Sequence, residues 1–230
     1  MRAVRRECPI CEATFLRFAR TRPGGRDRGV CPRCGSRQRH RHLWLWLPDR
    51  ADLGGRVIHF APEAPIERRL RATVAGYVTA DLVPGADLQL DLQALDLPDA
   101  SFDVVLCVHV LEHVPDDAAA MRELHRILEP GGWGIVQVPI LRETTDEDPS
   151  VTDAQERLRR FGQADHVRIY GRDFADRLAA AGFELDVQRH KPPRRDIERY
   201  GLAYDLRQEL GYDLNARPEP WEVWRVRSRA

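Results

Sequence analysis

No stretch of this 230-residue sequence approaches the roughly 18–20 consecutive apolar residues that a membrane-spanning helix needs. Its opening, MRAVRRECPIC, holds no apolar core of the kind a secretion signal carries. Internal repeats and low-complexity tracts are missing. Net charge is missing as well, because 36 basic side chains balance 36 acidic ones. Cysteine is scarce: there are five, and four of them fall in two close pairs. That usage fits a reducing compartment with metal-held thiolates better than a disulfide framework. The expectation is a cytoplasmic protein with no membrane association, large enough for one sizeable core plus a small appendage.

The zero net charge hides an asymmetry. Residues 1–42 carry a net +9 and residues 43–230 a net −9. A basic head on an acidic body means either an anionic partner or a head that docks on the body. Within the head, Cys8-Pro-Ile-Cys11 and Cys31-Pro-Arg-Cys34-Gly35 form two C-x-x-C knuckles nineteen residues apart. A two-residue gap lets two thiolates from one tight turn reach the same ion, and four such ligands suit tetrahedral zinc. The reading is a closed, structural site on Cys8, Cys11, Cys31 and Cys34. Roughly forty residues cannot build a core unaided, so the metal would supply the folding energy. After the second knuckle, Ser36 is placed to cap a short helix whose polar side is dense with Arg and His, running into Leu43-Trp44-Leu45-Trp46-Leu47. That side reads either as a cationic wall or as a solvated face.

Beyond a linker at Pro48-Asp49, strand and helix patterns alternate. Strands are expected over 56–61, 77–80, 88–90, 102–108, 133–138, 183–187 and 221–227. Helices are expected over 64–75, 118–128 and 174–181, with Pro130-Gly131-Gly132 stopping the second. Such alternation argues for a mainly parallel sheet covered on both faces, whose ligands bind at the carboxyl ends of the strands. Residues 140–171 and 190–220 read as irregular, charged lid segments, with Thr152, Asp153 and Gln155 placed to cap a lid helix.

Two runs carry a resemblance. Residues 101–114, SFDVVLCVHVLEHV, and 121–132, MRELHRILEPGG, closely resemble the pattern of small class I methyltransferases dependent on S-adenosylmethionine (SAM). The likeness extends over roughly residues 55–138. The knuckles together with His59-Phe60-Ala61-Pro62-Glu63 further resemble a bacterial subset with a short four-cysteine head. The resemblance implies a Rossmann-like fold with a seven-stranded, mainly parallel sheet and an antiparallel last strand. It also implies a zinc ribbon-like module over residues 1–48 and a methyltransferase domain over 49–230.

It implies a cofactor site as well. Asp81 holds the family position that binds the ribose hydroxyls of SAM, with Leu82 next to it. Asp91 holds the position for the adenine amine, with Leu92 beside the ring. Phe60, Ala61, Pro62 and Glu63 form the first loop, while Val108 and His109 end the fourth strand facing the sulfonium and the acceptor. The first loop departs from the family: His59 stands where an acid is usual, and Ala61, Glu63 and Pro65 stand where glycines are usual. His166, His109 and Tyr170 are the candidate catalytic or acceptor-contacting groups, with Asp165 as an orienter. His113 is read as structural. The expected activity is methyl transfer to an O or N atom of a small, anionic acceptor. The alternatives are an RNA or protein methyltransferase docking through the basic zinc head, and a non-catalytic binding member of the fold.

Overall fold

The structure, a computed structural model, describes residues 5–20, 29–47, 53–202 and 222–228. The head contains the antiparallel ribbon β1 (Arg6–Glu7) and β2 (Thr14–Phe15), followed by α1 (Gln38–Trp46). The main sheet then begins with β3 (Arg56–Phe60), α2 (Ala64–Thr73), β4 (Gly76–Asp81), β5 (Leu88–Gln89) and β6 (Phe102–Val108). A 3-10 turn (Leu111–His113) leads to α3 (Asp117–Ile127) and β7 (Leu128–Gln137). An insertion follows: β8 (Ile140–Arg142), β9 (Asp146–Glu147), α4 (Ala154–Phe161) and β10 (Arg168–Gly171). The chain closes with α5 (Phe174–Ala180), β11 (Glu184–Arg189), α6 (Arg194–Tyr200) and β12 (Glu222–Arg227). No helix among the described residues is long and apolar enough to cross a membrane.

The main sheet has seven strands in the order β11-β12-β7-β6-β3-β4-β5. The five strands from β7 to β5 are parallel, and β12 is antiparallel to both of its neighbours. The strand β6 reads FDVVLCV and is buried almost throughout, as a central strand covered on both faces requires. On one face Ile58, Phe60, Val105 and Cys107 pack beneath Met121, Leu124 and Ile127 of α3 and Phe174 and Leu178 of α5. On the other, Val57, Val104 and Leu106 pack beneath Ile66 and Leu70 of α2 and Trp44 of α1, continuous with Cys8, Ile10, Phe18 and Cys31. The head therefore supplies a helix that covers the sheet.

The head docks on the body through residues that the sequence left open as a cationic wall. Arg41 is fully buried and donates to the carbonyls of Gly29, Ser36, Tyr200 and Gly201 at 2.7–2.9 Å. His42 Nε2 lies 2.7 Å from the carbonyl oxygen of His190, and Trp46 donates to Gln188 at 3.0 Å. Ser36 is not the helix cap: Arg37 takes that position, and the Ser36 hydroxyl lies 3.3 Å from the Cys8 sulfur.

Three further expectations need correction. The helix α3 ends at Ile127 and β7 starts directly at Leu128, so Pro130-Gly131-Gly132 lies inside a strand. The ladder slips there, between Phe102 and Val104 of β6. Gly132 is required by close approach, since a Cβ would meet the Asp103 carbonyl at 3.0 Å. Residues 140–171 are not irregular. They form a three-stranded sheet in the order β8-β10-β9, with a small core of Leu141, Phe161 and Ile169. Asp153 caps α4 by accepting from the Glu156 amide at 2.9 Å. In the second lid segment, residues 194–200 are helical, and residues 203–221 lie outside the described residues, as does the linker at Pro48-Asp49.

Candidate active site at the carboxyl edge of the sheet

The parallel register aligns the carboxyl ends of three strands: Phe60 of β3 pairs with Ala80 of β4 and with Cys107 of β6. Chain connections run to opposite sides across β3 and β6, the switch point where open sheets bind ligands. Asp81 ends β4, and its Oδ1 accepts from the Val83 amide at 3.2 Å. Leu82 and Val83 beside it are 65% and 60% exposed, leaving apolar surface at this edge. Asp91 follows β5, and its Oδ1 accepts from the Gln93 amide at 2.9 Å. Leu92, Phe60 and Val108 are buried beneath, and Pro62 is half-buried in the loop.

The glycine-poor first loop makes the turn without glycine. Ala61 adopts φ 43°, the left-handed region where glycine is usual, and its amide donates to the Ala80 carbonyl at 2.8 Å. His59 does not take over the role of the missing acid. It is buried, with Nδ1 2.8 Å from the Tyr77 hydroxyl, and burial brings its pKa down to about 4. Glu63 is tied to the head, 3.3 Å from Arg39 and 3.0 Å from His40. Burial raises its pKa, but the His40 hydrogen bond and the charges of His40 and Arg39 outweigh this and bring it to about 2. Burial in turn lowers the pKa of His40, against the pull of Glu63. Glu63 thus links the four-cysteine head to the loop after β3.

The other side of the candidate site is built around the turn after β6. His109 has φ 57°, and its amide donates to the Gln137 carbonyl at 2.8 Å. Its Nδ1 lies 3.3 Å from Oε1 of Glu112, which is only 3% exposed. The ring of His113 packs edge-on against His166 with centroids 4.7 Å apart, and its Nδ1 lies 3.3 Å from Asp165. His166 is buried beside a cavity lined also by Glu112, Pro139, Leu141, Arg168 and Tyr170. Burial pushes its pKa below the ordinary histidine value.

The candidates in β10 are divided. Tyr170 is 1% exposed, and its hydroxyl donates to Asp117 at 2.6 Å. Burial and the Asp117 charge push its pKa far up. It is bound into the fold at the wall of the same cavity, with its hydroxyl taken by Asp117. Arg168 fastens β10 to the 3-10 turn, donating to the carbonyls of Leu111 at 2.9 Å, Pro115 at 2.8 Å and Val114. Sequence reasoning missed Glu112 and set His113 aside as structural. The signal was the pair Glu112-His113, read only as a family mark.

The four head thiols converge. Cys8 and Cys34 sulfurs are 3.6 Å apart, Cys11 and Cys31 sulfurs 3.7 Å, and all four lie within 4.8 Å of one another. Zinc–sulfur bonds of about 2.3 Å set the edges of a regular tetrahedron at about 3.8 Å, so the set fits the ion. The two knuckles share one backbone pattern. Glu12 N donates to Cys8 O and Cys8 N to Ala13 O; Gly35 N donates to Cys31 O and Cys31 N to Ser36 O. Glu12 and Gly35 both have positive φ, at 61° and 75°.

Comparison with known proteins agrees with this architecture. Residues 62–136 match the profile of the family described as Methyltransferase domain. The ubiquinone biosynthesis O-methyltransferase of Pseudomonas paraeruginosa is 31% identical over 107 residues, which cover 38% of this chain and 46% of that protein. The chain thus spans under half the length of this relative. Among solved structures, an S-adenosylmethionine dependent methyltransferase from Mesorhizobium loti superposes with a TM-score of 0.54 at 20% identity, covering 80% of this chain and 95% of that one. The Burkholderia thailandensis 1,6-didemethyltoxoflavin-N1-methyltransferase, solved with bound S-adenosylhomocysteine (SAH), gives 0.50 at 18% identity, covering 84% and 79%. Strand order and these likenesses define a Rossmann-like class I methyltransferase fold. More particularly, residues 62–136 match the Methyltransferase domain family, and they follow a head that gathers four cysteines.

Proposed function

We propose that this protein transfers a methyl group from SAM to an oxygen or nitrogen atom of a small molecule. The reading rests on one conjunction: Asp81, Asp91 and His109 stand together at the carboxyl edge of the sheet, within or beside the matched domain. Asp81 keeps its Oδ2 for the ribose hydroxyls while Oδ1 is fixed by the Val83 amide. Asp91 accepts from the adenine amine, and Leu82 and Leu92 flank the ring. Ala61, Pro62 and Phe60 shape the loop beneath the methionine end, and Val108 closes it. SAM supplies an electrophilic methyl for in-line displacement. His109 and His166 orient the acceptor and take its proton. The name of the Pseudomonas relative favours oxygen as the acceptor atom.

The same proposal places structural zinc on Cys8, Cys11, Cys31 and Cys34 and divides the chain at residue 48. Both the anionic acceptor and RNA docking were expected from the arginines of the head and the lid segments, five of which the fold itself uses. Arg41 is buried, Arg39 meets Glu63, Arg33 donates to Cys11 O, and Arg160 and Arg168 hold the insertion together. A small acceptor is our first reading, and its charge rests on none of these five arginines.

Calorimetric titration of SAH, with Asp81→Ala beside the wild type, tests the reading. Micromolar binding weakened tenfold or more in the variant is expected, about 1.4 kcal/mol for the lost carboxylate hydrogen bonds. A folded wild type that binds no SAH would leave the non-catalytic alternative.

A further inference from the structure

One group of ligating side chains has no role in holding SAM. Glu112, His113 and His166 place one ligand atom each within 4.8 Å of one another. Glu112 is 3% exposed and His166 3%. Oε1 of Glu112 faces His109, but Oε2 is buried with no hydrogen-bond partner. A buried carboxylate oxygen left unpaired costs several kcal/mol, and folds normally avoid it or offset it with a cation. Asp165 lies 3.3 Å from His113, the outer carboxylate–imidazole contact that commonly orients metal-bound histidines.

The cluster is also held in place. The Val167 amide donates to the Glu112 carbonyl at 2.9 Å, and Arg168 donates to carbonyls on both sides of His113. These bonds lock His166 against a turn more than fifty residues earlier in the chain. A cavity opens beside Glu112 and His166.

We propose that Glu112, His113 and His166 bind a divalent metal ion at the acceptor end of the cleft. Two imidazoles and one carboxylate, with no sulfur, suit the first-row series from manganese to zinc better than calcium or magnesium. Three protein ligands leave coordination positions open. If the methyl-transfer reading holds, as this last step requires, an acceptor oxygen occupies one of them and loses its proton more readily for being bound. His109, in contact with Glu112, would then be the group that takes the proton, since His166 is held by the ion.

The test uses full-length protein with its four-cysteine site filled with zinc. Mn2+ is added and followed by the loss of its free six-line electron paramagnetic resonance signal, with Co2+ absorption as a second probe. One further equivalent of ion should bind. Binding should weaken at least tenfold in His166→Gln and in Glu112→Gln, with zinc content and SAH binding retained. His113→Gln serves if Glu112→Gln fails to fold. No ion bound beyond zinc, or binding undiminished in His166→Gln, overturns the site. SAH titration on the same samples separates the two readings. Metal bound without SAH sinks only the methyltransferase reading, and SAH bound without metal sinks only this one.

Discussion

The head (residues 5–47) and the insertion (residues 140–171) are both fastened to the main sheet by a buried arginine, yet they are held together by different means. Arg41 reaches four carbonyls from the head and from the end of α6. Arg168 reaches three carbonyls around the 3-10 turn and pairs with Glu147 at 2.9 Å. Inside the head, two knuckles face each other across four thiols. Inside the insertion there is a small core and a set of ion pairs, with Arg160 on Asp146 and Asp148, and Arg177 of α5 reaches in to Glu147. One appendage is centred on four clustered thiols, the other on a small core and charge. Both end at the carboxyl edge of the sheet, the head through Glu63 and the insertion through His166.

The largest effect expected is from taking the metal away. Structural zinc is worth on the order of 10–16 kcal/mol in small modules, comparable to the whole stability of a domain at roughly 5–15 kcal/mol. Because Trp44 and Leu47 of the head are part of the core over the sheet, the loss should reach the sheet. Chelated protein, or Cys11→Ser, should melt far below the wild type by circular dichroism and be cut by protease within the head. An unchanged melt of protein shown by mass spectrometry to be zinc-free would erase the contrast between the two segments.

Removing the arginines comes next. Arg168→Met leaves three carbonyls without their donor, at about 1–3 kcal/mol for each buried group left unsatisfied, while Glu147 keeps Arg177. Arg41→Met should cost a comparable amount by urea unfolding. The two should differ in what they release: Arg41→Met should shed zinc faster, and Arg168→Met should keep zinc and lose the His166 geometry. Identical zinc-release rates in the two variants would mean that the anchors are not specific to their segments.

Acid should loosen the head's face of the sheet first. Burial holds His59 at about 4, whereas the unfolded chain takes up that proton near 6.5. The stability His59 contributes as a neutral side chain is complete above 6.5 and is lost as pH falls to about 4, roughly 3 kcal/mol in all. In the insertion, Ser150 and Arg160 hold Asp148 at about 2, so its share persists to lower pH. Melts between pH 7.5 and 4.5 should therefore fall less steeply in His59→Gln than in the wild type. Parallel curves would remove His59 as the source.

These contrasts show what one sequence can reveal. The seven sheet strands were legible because each is a local apolar run, and the four cysteines because their spacing is local too. The insertion was not, because its strands are two to four residues long and charged, and they gain order only by pairing. Glu112 and His166 could not be joined on paper, since only Arg168 and Val167 bring them together. Arg41 looked like any arginine of a basic stretch until the fold buried it.

The smallest prediction concerns the two knuckles themselves. They share hydrogen bonds and a positive-φ residue, but one has Gly35 there and the other Glu12. A Cβ at Gly35 would meet nothing within 4 Å, so Gly35→Ala tests backbone strain alone, about 1 kcal/mol. Glu12→Gly should relieve a strain of the same size. The pair it gives up, Arg69 with the 70% exposed Glu12, is worth little at a solvated surface. Competition with a zinc indicator should show Gly35→Ala weakening metal affinity and Glu12→Gly strengthening it, each by up to about fivefold. Shifts in the same direction would show that the knuckles are alike in pattern only, and that Glu12 is kept for its contact with α2.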